Sequence, residues 1–232
     1  DQYVPAYKIG SGDITWHEIV EHIAKKNKPV IIASGASDMF EVKKIIEKCL
    51  KINKQIALLQ CNTNYTAKKD NFNYINLNAI KTFSETFPNI IIGLSDHTLG
   101  HTTVLGAISL GARIIEKHYT LNNNFEGPDH KFSMNPTTWK EMIESSRELE
   151  QSLGNGVKKI EENEKETVVV QRRSIRIIED VKRGSEIKRK NLICLRPCPL
   201  DALQPYDIES ILNKKINRNI KAGDYLKKSD FE

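Results

Sequence analysis

The stretch Gly93–Thr120, GLSDHTLGHTTVLGAISLGARIIEKHYT, decides how this chain is read. Two short apolar, β-branched runs each end on a histidine, His97 and His118, with an Ala/Gly-rich segment of helical character between them. Alone, each imidazole reads either as a ligand or as a loop histidine bonded to backbone. The surrounding chain repeats the same unit. Apolar runs occur at AYKIG, PVIIAS, IALLQC, NIIIGLS and ARIIEKHY, and each is followed by an amphipathic or Ala-rich stretch. Short β-rich runs alternating with helical patterns predict parallel strands joined by helical crossovers. The runs are apolar at successive positions, as strands covered on both faces should be.

Polar residues gather at the C-terminal ends of these runs: Ser11–Asp13, Ser34–Gly35, Gln60–Tyr65, Ser95–His97 and Lys117–Thr120. In parallel α/β folds, barrels and open sheets alike, that edge carries the active site. Five polar strand ends suggest a ring, so the α/β class is expected here as a (β/α)8 TIM barrel. Its three further strands would lie upstream of Asp1, since the chain starts without an initiator Met and runs straight into a strand pattern. Asp38 and Thr137 are expected as helix N-caps and Gly154 as a helix stop. Residues 1–154 then hold five βα units. Residues 155–166, NGVKKIEENEKE, read as a charged linker, and residues 167–232 as a small, mostly-β domain. In that domain VVVQRRSIRII and NLICLRP are β-rich, and EDVKRGSEIKRKNL and RNIKAGDYLKKSDF are similar phrases.

Composition narrows the function class. With 232 residues, 39% hydrophobic and 28% charged, the chain is globular rather than disordered. No apolar run approaches the ~20 residues that span a bilayer, and no signal-peptide pattern opens the chain, so no membrane is expected as a partner. The net charge of +5 is interspersed. Its densest basic patch, Val181–Asn191, has no interleaved aromatic residue and reads as a solvated surface rather than a nucleic-acid site. Net positive charge suits anionic small substrates. Four cysteines show no disulfide framework, and the C-x3-C pair Cys194 and Cys198 lacks the partners zinc needs, so a reducing cytoplasm is expected.

The motifs KIGSGD, IIASGAS, LLQCNTNY, IGLSDHT, IEKHYT, GPDHKFSMNP and RNIKAGDYLKKSDF occur in one order across essentially the whole chain. In these the chain resembles the sialic acid synthase family, the synthases of N-acetylneuraminic, legionaminic, pseudaminic and similar nonulosonic acids. The resemblance implies a (β/α)8 barrel followed by an antifreeze-like (SAF) domain. It implies a transferase of surface carbohydrate biosynthesis that condenses phosphoenolpyruvate with the aldehyde of an N-acylated hexose and releases phosphate. A divalent metal, manganese before magnesium or cobalt, would be bound by His97 and His118 and polarise the aldehyde, so both count as catalytic. The enol carbon C3 would attack that aldehyde, water would add at C2, and C–O cleavage would expel phosphate.

The resemblance assigns further roles. Lys8 would neutralise the phosphoenolpyruvate anion, and Ser11, Ser34 and Ser95 would hydrogen-bond its phosphate or carboxylate. Asp13 stands where many members carry a glutamate near the reacting centre, one methylene shorter here, as a base or water partner. Tyr65, with Asn62 or Thr63 before it, would contact substrate, and Asp129 would accept sugar hydroxyls. In the family a domain-swapped homodimer brings an arginine of the SAF domain to the N-acyl sugar. Arg196 holds that position, although RPCPLDAL departs from the family's Pro-Gly-x-Gly continuation. The family's catalytic glutamate and second phosphate-binding lysine come from earlier strands, so this stretch alone is expected to be inactive. Two rivals stand beside this reading. One is a truncated or degenerate chain that only binds carbohydrate or drives oligomerisation. The other is an amidohydrolase-type metal barrel, against which GPDHKFSMNP and the antifreeze-like tail argue.

Overall fold

The computed structural model describes residues 2–231. Two compact units divide the chain, Asp1–Gly156 and Val157–Glu232. In the first, strands β1 (Tyr7–Ile9), β2 (Val30–Ala33), β3 (Ile56–Cys61), β4 (Ile91–Asp96) and β5 (Ile114–Lys117) form one parallel sheet in sequential order. Helices α1 (His17–Ala24), α2 (Met39–Leu50), α3 (Ala79–Thr86) and α4 (Thr102–Ser109) make the crossovers, and α5 (Pro136–Leu153) follows β5.

Strand parity sorts the side chains into two layers. Ile9, Val30, Ile32, Ile56, Leu58, Ile92 and Leu94 face the helices and join one buried cluster. Helix α2 meets them with Val42, Ile45, Ile46 and Cys49, the i, i+3, i+4, i+7 spacing of a single apolar stripe. Each fully buried aliphatic side chain contributes roughly 1.5–3 kcal/mol. Alternate residues, among them Lys8, Leu59, Gly93, Ser95 and Glu116, lie on the opposite face. Gly93 is required there: a Cβ would stand 2.3 Å from the Ile114 carbonyl oxygen and 2.5 Å from Leu59 Cδ2.

That opposite face is concave. Lys8 and Glu116, from the first and last strands of the sheet, form an ion pair at 3.2 Å. Five flat strands at a spacing of ~4.8 Å would hold these strands roughly 19 Å apart, so the sheet curls into a trough. Helix starts are set by side chains. Asp38 caps α2 in a reciprocal box with Glu41, as expected. Helix α5 starts earlier than expected: Asn135, not Thr137, is the N-cap, boxed with Thr138 and followed by Pro136. Proline suits the first helical position, where its missing N–H is not needed. Gly154, with φ 58°, closes α5.

The second unit opens with a helix where a linker and a β-rich run were expected. Glu161 and Glu164 box a 3-10 turn that leads into α6 (Lys165–Gln171), which takes Val168–Val170 with it. Acidic residues at a helix start complement its dipole, and this outweighs the small helical penalty of three valines. Strands β6 (Ser174–Ile177) and β7 (Leu192–Leu195) then pair antiparallel, and a short α7 (Ile208–Ile211) follows. The two similar phrases face each other through the antiparallel bridge Val181↔Ile220. Each turns on a left-handed glycine, Gly184 (φ 81°) and Gly223 (φ 87°). Ile175, Ile177, Ile187, Leu192, Ile211, Ile216, Ile220 and Leu226 form the unit's own core.

Candidate active site

The C-terminal end of the trough collects most of the residues singled out from sequence. His97 follows β4 and His118 follows β5, so both imidazoles project from the concave face. Their ring centroids are 5.1 Å apart in an edge-on arrangement. Each ring has one nitrogen held. His97 Nδ1 lies 2.9 Å from the Asn62 carbonyl oxygen, and His118 Nδ1 lies 3.3 Å from Asp129 Oδ2. An oxygen acceptor on Nδ1 fixes the proton there and leaves Nε2 as the lone-pair donor, the arrangement usual for metal-binding histidine. Tyr65 and Phe132 close over the pair, with Tyr65 centred 4.3 Å from His97 and Phe132 5.0 Å from His118.

Below the imidazoles, Ser95 Oγ donates to Glu116 Oε2 at 2.5 Å, and Lys8 pairs with the same oxygen. Ser11 Oγ accepts from the Gly35 amide at 3.0 Å. A side chain at Gly35 would displace the hydroxyls of this cluster, because a Cβ would stand 1.8 Å from Thr63 Oγ1 and 2.7 Å from Ser11 Oγ. The Cys61 thiol points into the same space, 3.9 Å from Thr63 Oγ1, with His97, Ser11 and Ser95 beside it.

These contacts set the ionisation of the site. Burial opposes a charge on His97, but hydrogen bonds with Cys61 and the Asn62 carbonyl outweigh it and raise its pKa. Burial and the neighbouring charge of His97 hold His118 below the ordinary imidazole value, against the pull of Asp129. Glu116 is pushed up by burial and pulled down further by Ser95 and Lys8, so it stays ionised. Burial also works against a Cys61 thiolate, yet its hydrogen bonds lower that pKa overall.

Two assigned residues of this unit, Ser34 and Asp13, fall outside the cluster. Ser34 lies on the helix-facing side: its hydroxyl donates to the Leu59 carbonyl oxygen at 3.0 Å and lies 3.5 Å from Gln60 Oε1. Parity turns Ala33 toward the trough instead. Asp13 is exposed at the end of a 3-10 turn, Ser11–Asp13, and among the described residues no hydrogen bond or ion pair ties its carboxylate to the histidines. Arg196 belongs to the second unit, where its Nε donates to the Gln171 carbonyl oxygen at 2.5 Å.

Sequence reasoning passed over Glu116, Cys61 and Phe132. The signal for Glu116 was available: it precedes His118 by two residues, as Ser95 precedes His97, so strand period puts each pair on one face. By the same rule Lys117 points away from the site. It forms a buried pair with Asp96 at 2.6 Å and donates to the Thr98 carbonyl oxygen at 2.7 Å. Thr103 and Thr98 hydroxyls complete the shell of Asp96 Oδ2 at 2.6 and 2.9 Å.

His97 and His118 are the residues that could hold a divalent cation, and no group of three or more His, Cys, Asp or Glu side chains placed to enclose an ion occurs among the described residues. A two-histidine site leaves coordination positions for substrate oxygen and water, which a Lewis acid needs and a structural metal does not.

Known proteins are similar to this chain in sequence and fold. The NeuB family model matches residues 1–158, and a SAF domain matches residues 172–232. An uncharacterized protein of Methanocaldococcus jannaschii is 39% identical over 96% of this chain and 65% of its own length. The N,N'-diacetyllegionaminic acid synthase of Legionella pneumophila is 36% identical over 96% of this chain and 62% of its own. A pseudaminic acid synthase of Campylobacter jejuni is 35% identical over 98% and 64%. The chain therefore spans less than two thirds of the length of each. Among solved structures, N-acetylneuraminic acid synthetase of Leptospira borgpetersenii aligns with TM-score 0.65 and 29% identity, covering 72% of this chain and 57% of that one. A spore coat polysaccharide biosynthesis protein of Bacillus subtilis aligns at 0.60 and 28%, over 98% and 67%. No helix among the described residues is long and apolar enough to cross a membrane. The chain belongs to the NeuB family, and its second unit is a SAF domain.

Proposed function

We propose that this chain serves a nonulosonic acid synthase, which joins phosphoenolpyruvate to the aldehyde of an N-acylated hexose and releases phosphate. Relatives named as legionaminic and pseudaminic acid synthases support this reading. The observation that carries it is the imidazole pair above a trough that holds Lys8. A divalent cation, manganese first, held by Nε2 of His97 and His118 would supply Lewis-acid polarisation of the aldehyde. The Asn62 carbonyl and Asp129 orient those nitrogens, and the free Asp129 oxygen accepts a sugar hydroxyl. Lys8 offsets the phosphoenolpyruvate charge when that anion displaces Glu116 from it. Ser11 and Ser95 donate to the same anion, while Tyr65 and Phe132 exclude water from the imidazoles. In the reaction a bond forms between C3 of phosphoenolpyruvate and the aldehyde carbon, water adds at C2, and the C–O bond to phosphate breaks. Such preorganised charges act where the alkoxide and phosphate charges develop. Asp13, on its exposed turn, is the assigned proton carrier. Arg196 would reach the N-acyl group of a partner's substrate in a domain-swapped homodimer.

The curl of the sheet supports a closed (β/α)8 barrel for the whole protein, and four free cysteines support a cytoplasmic setting. The test uses the protein purified from its own cells, with phosphoenolpyruvate, N-acylhexosamines and Mn²⁺. Phosphate release with a new sugar acid is expected, and His97→Ala and His118→Ala abolish it. Turnover that persists in both variants removes the metal assignment. A wild-type protein that releases no phosphate with any N-acylhexosamine removes the synthase reading.

A further inference from the structure

A second opening lies on the other face of the same strand ends, between the sheet and helices α2 and α3. Its volume is about 590 Å³, inside the roughly 300–1,000 Å³ range of small-molecule sites. It stands over β2 and β3, which have strand neighbours on both sides, so it lies away from the open edges of the sheet. Val42 and Phe83 form an apolar floor, and Gln60, Asn62, Asn76 and Asn78 line the walls beside the exposed ring of Tyr74.

The lining selects a ligand class. No lysine, arginine or histidine contributes to it, so an anion such as phosphoenolpyruvate has no counter-charge here. Its one carboxylate, Asp38, is engaged as the cap of α2, accepting the Glu41 amide at 2.9 Å. The Gln60 amide is engaged, its Nε2 donating to the Ile75 carbonyl oxygen at 2.9 Å, but the Asn76 and Asn78 amides present a donor and an acceptor side by side, which matches hydroxyl and N-acyl groups. Asn62 Nδ2 donates to the Tyr74 carbonyl oxygen at 3.3 Å, which leaves its Oδ1 as an acceptor. Two non-glycine residues on the rim hold left-handed backbone, Ala36 (φ 54°) and Asn76 (φ 49°). Such conformations cost energy and gather at binding sites.

We propose that this cavity binds a neutral monosaccharide rich in hydroxyl or N-acyl groups, and that Asn62 links it to the histidine trough. The link is covalent and short: the side chain of Asn62 lines the cavity while its carbonyl holds His97 Nδ1. A ligand that draws on the Asn62 amide shifts the acceptor that orients the imidazole. The inference stands on the cavity itself and not on the reaction proposed above.

The test titrates the 232-residue chain with N-acetyl-D-glucosamine and follows side-chain amide and imidazole resonances by NMR. The expected result is saturable shifts of the Gln60, Asn62, Asn76 and Asn78 amides together with a shift of the His97 ring. Tyr74→Ala with Asn78→Ala, both exposed positions, weakens binding about tenfold, the effect of losing one or two contacts. His97→Ala with His118→Ala leaves binding in place. Thermal unfolding of each variant separates lost binding from lost fold, and Asn78→Asp supplies a second, near-isosteric probe. Loss of binding in the histidine variant with retention in the cavity variant assigns the sugar to the trough and overturns the proposal. Absence of any amide shift at saturating sugar does the same. Saturable binding with an unmoved His97 ring overturns the link through Asn62.

Discussion

Two ion pairs one residue apart on β5 have opposite surroundings. Lys117 and Asp96 face the helices with side chains 1% and 0% exposed, whereas Lys8 and Glu116 face the trough at 39% and 35%. Register explains the first pair: Asp96 and Lys117 are opposite each other across β4 and β5, where side chains on one face meet. Curvature explains the second, because only a curled sheet lets β1 reach β5. The buried pair is reinforced by hydrogen bonds from the Thr98 and Thr103 hydroxyls to Asp96 and from Lys117 to the Thr98 carbonyl, and it ties together the ends of the two strands that carry His97 and His118. The trough pair leaves more than a third of its surface open and its lysine free to change partners. The difference teaches that on a strand the same charges take structural or reactive parts according to parity alone.

The comparison breaks most directly at Lys117. Lys117→Met leaves the Asp96 carboxylate buried without its cation, and a loss of about 3–5 kcal/mol is expected in urea unfolding. Asp96→Asn combined with Lys117→Met recovers much of it, since an uncharged pair has no orphan ion. A single variant that unfolds like the wild type would mean the pair is not what closes this end of the sheet. Next in size is Asp129→Asn, which keeps the shape and removes the charge beside His118 Nδ1. Mn²⁺ affinity, read by electron paramagnetic resonance, should fall about 10–100-fold, as when a ligand's outer partner is lost. Affinity unchanged within experimental error would show that Asp129 serves only the sugar.

Much of this arrangement is legible in the sequence, and the parts that are not have two causes, parity at strand ends and capping at helix starts. The alternation of apolar runs with helical stretches located all five strands of the sheet, because burial on both faces leaves an unbroken apolar signature. Polar strand ends located the site, since each strand delivers its last residues to one rim. What composition does not carry is parity at the point where a strand ends. Ser34 and Ala33 exchange faces with a shift of one residue, and Glu116 was overlooked beside the more conspicuous Lys117. The start of α5 at Asn135 and the helix α6 over Val168–Val170 were misread for a local reason. Capping by Asn135 and by the glutamates at 161 and 164 competes with patterns that suggest a later start or a strand. The departure of RPCPLDAL from its family pattern has no account in the structure.

The pH dependence sharpens the contrast between the histidines. Mn²⁺ needs neutral imidazoles, so protons compete with it. His97, raised above the ordinary 6.5, takes up its proton first as the pH falls, while His118, lowered, stays neutral. Affinity should therefore fall about tenfold per pH unit below the His97 value, the slope for one displaced proton. The slope steepens only at lower pH, where His118 follows. In metal-free protein the sign reverses. The folded state favours the His97 imidazolium, so its contribution is complete below about pH 6.5 and is lost as the pH rises through the raised value. Titration of metal affinity alongside unfolding of the metal-free protein separates the two. A metal affinity flat between about pH 5.5 and 7.5, one unit either side of the ordinary imidazole value, would remove His97 as a ligand.

The smallest stability effect belongs to Lys8, and it is the most informative when set against Lys117. Lys8→Met removes the cation from Glu116, but Glu116 keeps the Ser95 hydroxyl and its exposure to water. Half-exposed pairs contribute on the order of 0–1 kcal/mol, so the unfolding midpoint should hardly move. If Lys8 receives the phosphoenolpyruvate anion, the same substitution raises KM for phosphoenolpyruvate and leaves KM for the sugar in place. A split of that kind, with stability intact, is what an ion pair built to be opened should give. Should Lys8→Met instead unfold the protein as readily as Lys117→Met, the trough pair would be a second structural clamp, and the anion would have to find its cation elsewhere.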